Sequence, residues 1–110
     1  MKDLNVSLLM DFYGNLLPEK QQDMLEQYYQ EDLSLSEIAD NSGITRQGVH
    51  DNIKRAVAEL KNYEEKLGLL TRFSEITEAA NEIRKYVTCN FSQEDTDKIL
   101  SLLDIIIKEA

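Results

Sequence analysis

The stretch from Leu33 to Arg55 constrains the fold more than any other part of the chain, because it carries the start and stop signals of two short helices separated by a tight turn. Ser34 and Glu37 have the spacing of a capping box, which fixes where the first helix begins. Gly43 suits the positive φ at which a helix ends, and Thr45 is placed to cap the next helix. This pattern predicts a helix-turn-helix.

The second helix of this motif has two different sides. Its apolar residues recur at intervals of four, four and three, which predicts a buried stripe on a helix that continues to Tyr63 or Lys66, just before Gly68. The stripe consists of Val49, Ile53, Val57 and Leu60. The other side carries polar residues, with Asp51 beside them, of types that bond to base edges or phosphates from a helix in a major groove. These candidate contacts are Arg46, Gln47, His50 and Lys54. For His50, the only histidine, a solvated surface residue is the alternative.

The net charge of −9 argues against a protein that coats nucleic acid. The charge is uneven, however. Residues 34–62 have four basic and four acidic side chains, whereas two basic and seven acidic residues precede them, and six basic and ten acidic residues follow. The helix-turn-helix is therefore the least acidic segment, and any DNA binding should be modest and salt-sensitive. Glu64 with Glu65, and Glu94 with Asp95, are predicted to be solvated on helix surfaces.

Two further helices are predicted before the motif. Asp3 is available to cap the first, whose apolar side would contain Leu4, Leu8, Leu9 and Phe12. Pro18 suits the first turn of the second, whose apolar side would contain Met24, Leu25 and Tyr28. Tyr28 is interpreted as a core residue and Tyr29 as half-exposed, with base stacking as the alternative for either.

The remainder of the chain reads as a pair of helices. Apolar residues at Phe73, Ile76, Ala80, Ile83 and Val87 predict the first, with a break from Thr88 to Phe91 before Ser92 opens the last helix. That last helix is apolar over more than one side, at Ile99, Leu100, Leu102, Leu103, Ile105, Ile106 and Ile107. Either a dimer covers this surface, or the chain's own helices do. We therefore predict a helix-turn-helix domain at residues 1–67 and a helical extension at 68–110 that packs on it and is available for dimerisation.

Several classes of function are disfavoured by what the sequence lacks. It has no nucleophile with a nearby base, no glycine-rich phosphate loop and no metal-ligand cluster, so we expect neither catalysis nor a cofactor or metal. Cys89 has no partner for an intramolecular disulfide and is predicted to be a packing residue. No long apolar run or secretion signal is apparent, so we expect a cytoplasmic protein without membrane insertion.

Two resemblances extend these predictions. The segment from Leu17-Pro18 through Ala56, with Leu-Ser-x-x-Glu-Ile-Ala at its centre, resembles region 4 of bacterial sigma factors. With Asp11-Phe12-Tyr13-Gly14, the run from Thr45 to Arg55 and the acidic helical C-terminal half, the whole chain resembles the YlxM family of small bacterial proteins. These resemblances imply an all-α, sigma-region-4-like fold and a regulatory or accessory role in the signal recognition particle pathway. Carried over by position, they imply nucleic-acid contacts at Arg46, Gln47, His50 and Lys54, with Arg55 reaching a phosphate or an acidic neighbour.

Three functions remain open at this stage. The first is a nucleic-acid-binding adaptor that contacts the RNA or the GTPase proteins of the signal recognition particle pathway. The second is a homodimeric transcription regulator whose two recognition helices lie about 34 Å apart on DNA. The third is a module that binds only protein through its acidic surface.

Overall fold

The computed structural model describes residues 4–109, and within that range the chain is all-α, which confirms the predicted fold class. The helices in this range are α1 (Leu4–Tyr13), α2 (Glu19–Leu25), α3 (Leu35–Ser42), α4 (Arg46–Leu67), α5 (Leu69–Asn90) and α6 (Gln93–Glu109). A 3₁₀ turn follows α1 and a π-helical turn follows α2. The chain forms two compact units that divide between Gly68 and Leu69. Asp3, the predicted cap of the first helix, lies outside the described residues.

The buried stripe of α1 differs from the predicted one. Val6, Leu9 and Tyr13 are buried where α1 packs on α4, whereas Leu8 is 46% exposed. Intervals of three and four place the buried residues on one side of the helix, and Leu8 falls on the opposite side. The Tyr13 hydroxyl donates a hydrogen bond to Glu64 Oε1 at 2.6 Å, so the ring is buried with its polar atom satisfied. Glu64 is therefore a structural partner of α1, not the fully solvated side chain that was predicted.

The end of α2 has a feature that the sequence did not predict. The helix buries its apolar residues as expected, at Met24 and Leu25. It then widens into the π-helical turn Glu26–Gln30, in which the amide of Glu31 donates to the carbonyl of Glu26 at 3.0 Å. Tyr28 and Tyr29 lie in this turn and both are half-buried. The prediction for Tyr29 is confirmed, but the prediction that Tyr28 is a core residue is wrong, because Tyr28 lies in the π-helical turn, outside the regular α-helical spacing of Met24 and Leu25, and is only half-buried.

The central helix of the first unit is α4, which packs against α1, α2 and α3. Its inner side consists of Val49, Ile53, Ala56 and Leu60, each buried. Val57 was predicted in place of Ala56 but is only half-buried, because it lies at the edge of the stripe that these four residues define. The helix ends at Leu67, and Gly68 adopts φ 64°, which confirms the predicted end.

In the second unit, α5 and α6 pack against each other around Ala80, Val87 and Leu103. An ion pair between Arg84 Nη2 and Asp104 Oδ1, at 2.9 Å, also joins the two helices. The break between them is shorter than predicted because α5 continues to Asn90. The side chains of Thr88 and Asn90 support this last turn by donating to the carbonyls four residues before them.

The predicted start of α6 is confirmed, but several apolar residues of this unit are not buried. The amide of Asp95 donates to Ser92 Oγ at 3.3 Å, so Ser92 caps the helix. Ile83 was expected on the buried side of α5 and is 46% exposed, since it lies beside the line through Ala80 and Val87. Cys89 is also exposed and is not the packing residue that was predicted. On α6, the exposed large apolar residues are Leu102, Ile105 and Ile106.

Candidate nucleic-acid interface

Local hydrogen bonds fix where the two helices of the motif begin. Ser34 Oγ accepts from the Glu37 amide and Glu37 Oε1 accepts from the Ser34 amide, both at 3.1 Å, so the capping box is complete. Gly43 ends α3 with φ 71°, where an L side chain would be strained. Thr45 Oγ1 then accepts from the Gly48 amide at 3.0 Å and caps α4. All three signals are confirmed, and they place Arg46 in the first turn of α4.

All five predicted contact residues are exposed on α4. They are Arg46, Gln47, His50, Lys54 and Arg55. The opposite side of the same turns is buried, at Val49, Ile53 and Ala56. The helix is therefore held along its inner side by packing while its polar side chains reach solvent, which is the arrangement that a recognition helix needs.

The exposed residues fall on two neighbouring stripes. Arg46, His50 and Lys54 follow one another at intervals of four, so they line the same side of α4. Gln47, Asp51 and Arg55 form the adjacent stripe at the same intervals. The first stripe contains only basic residue types, whereas the second includes a carboxylate. The stripe of Arg46, His50 and Lys54, called the Arg46 stripe below, is thus a more favourable surface for a negatively charged partner than the stripe that contains Asp51.

Asp51 interacts with two of the predicted contact residues. Its Oδ1 accepts a hydrogen bond from Gln47 Nε2 at 3.0 Å, and His50 Nδ1 lies 3.4 Å from the same oxygen. The interaction with His50, followed by the hydrogen bond from Gln47, lowers the pKa of Asp51 below its usual value of 3.8. One N–H of the Gln47 amide is therefore engaged within the protein, and a partner would bind the amide through its second N–H and its carbonyl oxygen.

Replacing Gln47 with alanine should raise the pKa of Asp51 toward 3.8, because one of the two groups that favour its charged form is removed. Since the folded-state pKa lies below the unfolded value, these interactions stabilise the fold above the unfolded pKa and are lost as the pH falls through the folded pKa. An NMR pH titration of the Asp51 carboxyl carbon measures the midpoint. Gln93→Ala, which removes a comparable hydrogen bond to Asp97, serves as the control and should leave the Asp51 midpoint unchanged. An Asp51 midpoint that is equal in wild type and Gln47→Ala would contradict the assignment.

The structure also shows a groove beside the Arg46 stripe of α4, which the sequence did not predict. It has a volume of about 410 Å³ and is lined by Tyr28, Tyr29, His50, Lys54 and Lys61, together with apolar residues of α3 and α4. Lys61 was not singled out in the sequence, since it lies four turns beyond Arg46. The adjacent tyrosines were the available signal, but only the π-helical turn shows which way both of them face.

The described residues hold no group of three or more histidine, cysteine or carboxylate side chains that is arranged to bind a metal ion. Among the helices that the structure describes, none combines the length and apolar character needed to cross a membrane.

A family comparison identifies the chain's relatives. Residues 1–99 match the model of the family UPF0122, which is described as "Putative helix-turn-helix protein, YlxM / p13 like". The chain belongs to the UPF0122 family. This confirms the resemblance to YlxM proteins, and the UPF0122 description names a helix-turn-helix protein and mentions no catalytic activity.

Individual UPF0122 proteins are similar over most of their length. A UPF0122 protein of Desulforamulus reducens is 52% identical over 84 residues, which cover 76% of this chain and 72% of the relative. One from Thermoanaerobacter sp. strain X514 is 42% identical over 96% of this chain and 91% of its own length. Another, from Halalkalibacterium halodurans, is 41% identical over 96% of each chain. The UPF0122 relatives are thus bacterial proteins of closely similar extent.

Proposed function

We propose that the protein is a nucleic-acid-binding helix-turn-helix accessory protein that acts in the signal recognition particle pathway in the cytoplasm. The observation that carries this proposal is the exposure of every predicted contact residue on one helix, α4, whose inner side is buried. Arg46 and Lys54 supply donors for phosphates, and Gln47 and His50 supply groups that pair with base edges. Arg55 is a further phosphate contact on the adjacent stripe.

The electrostatics define what kind of binding to expect. The basic stripe lies on a chain with 21 acidic and 12 basic residues, so long-range attraction of a phosphate backbone is weak. Binding then depends on a few close contacts, and its affinity should fall as salt rises. Salt-sensitive binding through a few contacts suits an accessory protein that joins an assembled complex better than it suits a protein that coats nucleic acid.

The pathway assignment rests on the family resemblance. In that role the partners are signal recognition particle RNA, contacted through α4, and the GTPase proteins of the pathway. The second unit offers a separate protein-binding surface, since α6 exposes Leu102, Ile105 and Ile106.

The same α6 surface favours one alternative, a dimeric DNA-binding transcription regulator. Apolar residues that cluster on an exposed helix are typical of an interface. A two-fold dimer would have to place its α4 helices about 34 Å apart, or a multiple of that distance, to reach successive major grooves. Light scattering on the purified protein distinguishes a monomer from this dimer.

A titration separates these functions. Fluorescently labelled duplex DNA and labelled signal recognition particle RNA are each titrated with the protein at about 50 and 200 mM salt. The proposal predicts that the RNA binds, with an affinity that falls at the higher salt. Preferential binding of duplex DNA by a dimer would support the regulator. If neither nucleic acid binds at the lower salt, the proposed function is wrong and a protein-only module is left.

A further inference from the structure

The groove beside α4 combines two features that point to one class of ligand. Its sides are formed by the π-helical turn, which carries Tyr28 and Tyr29, and by the His50, Lys54 and Lys61 side of α4. Leu35 and Val57 contribute apolar surface to the groove. The groove lies entirely within the first unit, so its shape is set by the packing of that unit alone.

The charge of the groove is opposite to that of the chain. The residues that line it include Lys54, Lys61 and His50 but no aspartate or glutamate, although acidic residues outnumber basic ones in the whole sequence by 21 to 12. The groove therefore favours a ligand that carries negative charge.

The tyrosines indicate that the ligand also has a flat apolar part. The two rings are half-buried, and their centroids lie 5.0 Å apart with the ring planes at 88°. The two ring planes are thus nearly perpendicular, and both half-buried rings line the groove. Aromatic side chains of this kind are the surfaces on which unpaired bases stack. The volume of about 410 Å³ falls in the ~300–1,000 Å³ range of small-molecule sites, which is ample for one base.

The groove is continuous with the candidate nucleic-acid interface. His50 and Lys54 line the groove and also belong to the Arg46 stripe of α4. Lys61 lies 15 residues after Arg46, or about 22 Å along the helix axis. A recognition helix contacts base edges mainly through its N-terminal residues, so Lys61 is too distant to share that task. It can instead bind a phosphate of a strand that leaves the Arg46 stripe and enters the groove.

We infer that this groove binds an unpaired base of an RNA loop or bulge, with the base against Tyr28 and Tyr29 and the flanking phosphates on Lys54 and Lys61. The inference rests on the proposed function and makes it more specific, because it names the structural class of RNA that the protein selects. A base in a continuous duplex is stacked between its neighbours and cannot enter the groove. The protein should therefore prefer RNA with unpaired bases to fully paired RNA of the same length.

The test compares two labelled RNAs, a hairpin with an unpaired loop and a duplex that continues the same stem, by fluorescence anisotropy. Wild type is expected to prefer the hairpin by roughly tenfold. Tyr29→Leu should abolish most of this preference, while Tyr29→Phe should retain it because the stacking surface remains. Lys61→Gln should lower the preference about threefold, whereas Lys66→Gln, an equal change of charge outside the groove on the same helix, should leave it unaltered. Circular dichroism verifies that each variant is folded.

The ratio of the two affinities, not their absolute values, is the informative quantity, since a general loss of structure lowers both. Equal binding of hairpin and duplex by wild type would overturn the inference and leave the proposed function intact. Absence of binding to either RNA would overturn both. If Lys66→Gln lowers the preference as much as Lys61→Gln does, the effect is one of net charge and the groove is not the site. Single-stranded DNA of the loop sequence is the third probe, and a tighter complex with it than with the RNA hairpin would also overturn the assignment to RNA.

A peptide of residues 93–109 tests the competing idea that the groove holds an acidic apolar helix. If this peptide binds the wild-type protein but not Lys61→Gln, and the RNA hairpin shows no preference, the groove is a protein-binding site and the inference is wrong.

Discussion

Leu60→Ala is expected to lower the free energy of unfolding by about 3 kcal/mol, because it removes a fully buried side chain and leaves a cavity that the surrounding helices can close only in part. Leu60 lies on the inner side of α4, the helix on which α1, α2 and α3 pack. Since α4 also carries the candidate contact residues, loss of packing at Leu60 also weakens the support of the candidate nucleic-acid interface. The chain is almost wholly helical, so circular dichroism at increasing urea measures the change directly.

Leu67→Ala is the matched control for this prediction. It makes the same substitution on the same helix, but Leu67 is 56% exposed. Its truncation should change the free energy of unfolding by less than about 1 kcal/mol. Similar losses in the two variants would show that the core of the first unit does not depend on the inner side of α4.

The double variant Arg46→Ala/Lys54→Ala is expected to weaken binding of RNA or DNA by at least about tenfold at low salt. The slope of log affinity against log salt should become shallower by about one for each phosphate that the variant no longer neutralises. Both side chains are exposed on the same stripe of α4, so their removal should leave the fold intact. Fluorescence anisotropy at several salt concentrations gives both the affinity and the slope.

Lys66→Ala/Lys108→Ala changes the net charge by the same amount at exposed positions outside the stripe. It should retain most of the affinity. A loss equal to that of the first double variant would indicate that binding reflects overall charge and not the surface of α4. Unchanged affinity in the first double variant would remove α4 from the interface.

Local signals in the sequence predicted the motif well because its stabilising contacts lie close together along the chain. The reciprocal bonds of Ser34 and Glu37, the positive φ of Gly43 and the cap at Thr45 each involve residues within three or four positions. Such contacts follow from residue type and spacing alone. The exposed side of α4 could be predicted for the same reason, as the complement of its apolar stripe.

Contacts between distant residues could not be predicted in this way. Glu64 was interpreted as solvated, yet it accepts a hydrogen bond from Tyr13, 51 positions earlier. That bond depends on how α1 crosses α4, which no local pattern specifies. Periodicity also predicts the direction of a buried stripe around a helix only approximately. For this reason Leu8 was predicted on the buried stripe of α1, where Val6 lies, and Val57 on that of α4, where Ala56 lies. The groove combines both difficulties, since it joins residues of separate helices through a turn of irregular geometry.

The π-helical turn at Glu26–Gln30 makes this part of the chain sensitive to changes in length. The extra residue that it accommodates sets the position of Tyr28 and Tyr29 around the helix axis. Deleting one residue within Glu26–Gln27 would restore ordinary α-helical spacing and rotate the two tyrosines by about 100° about the helix axis. When homologous sequences are aligned, a single-residue gap at this position would therefore mark chains that lack the aromatic wall, even where both tyrosines are retained.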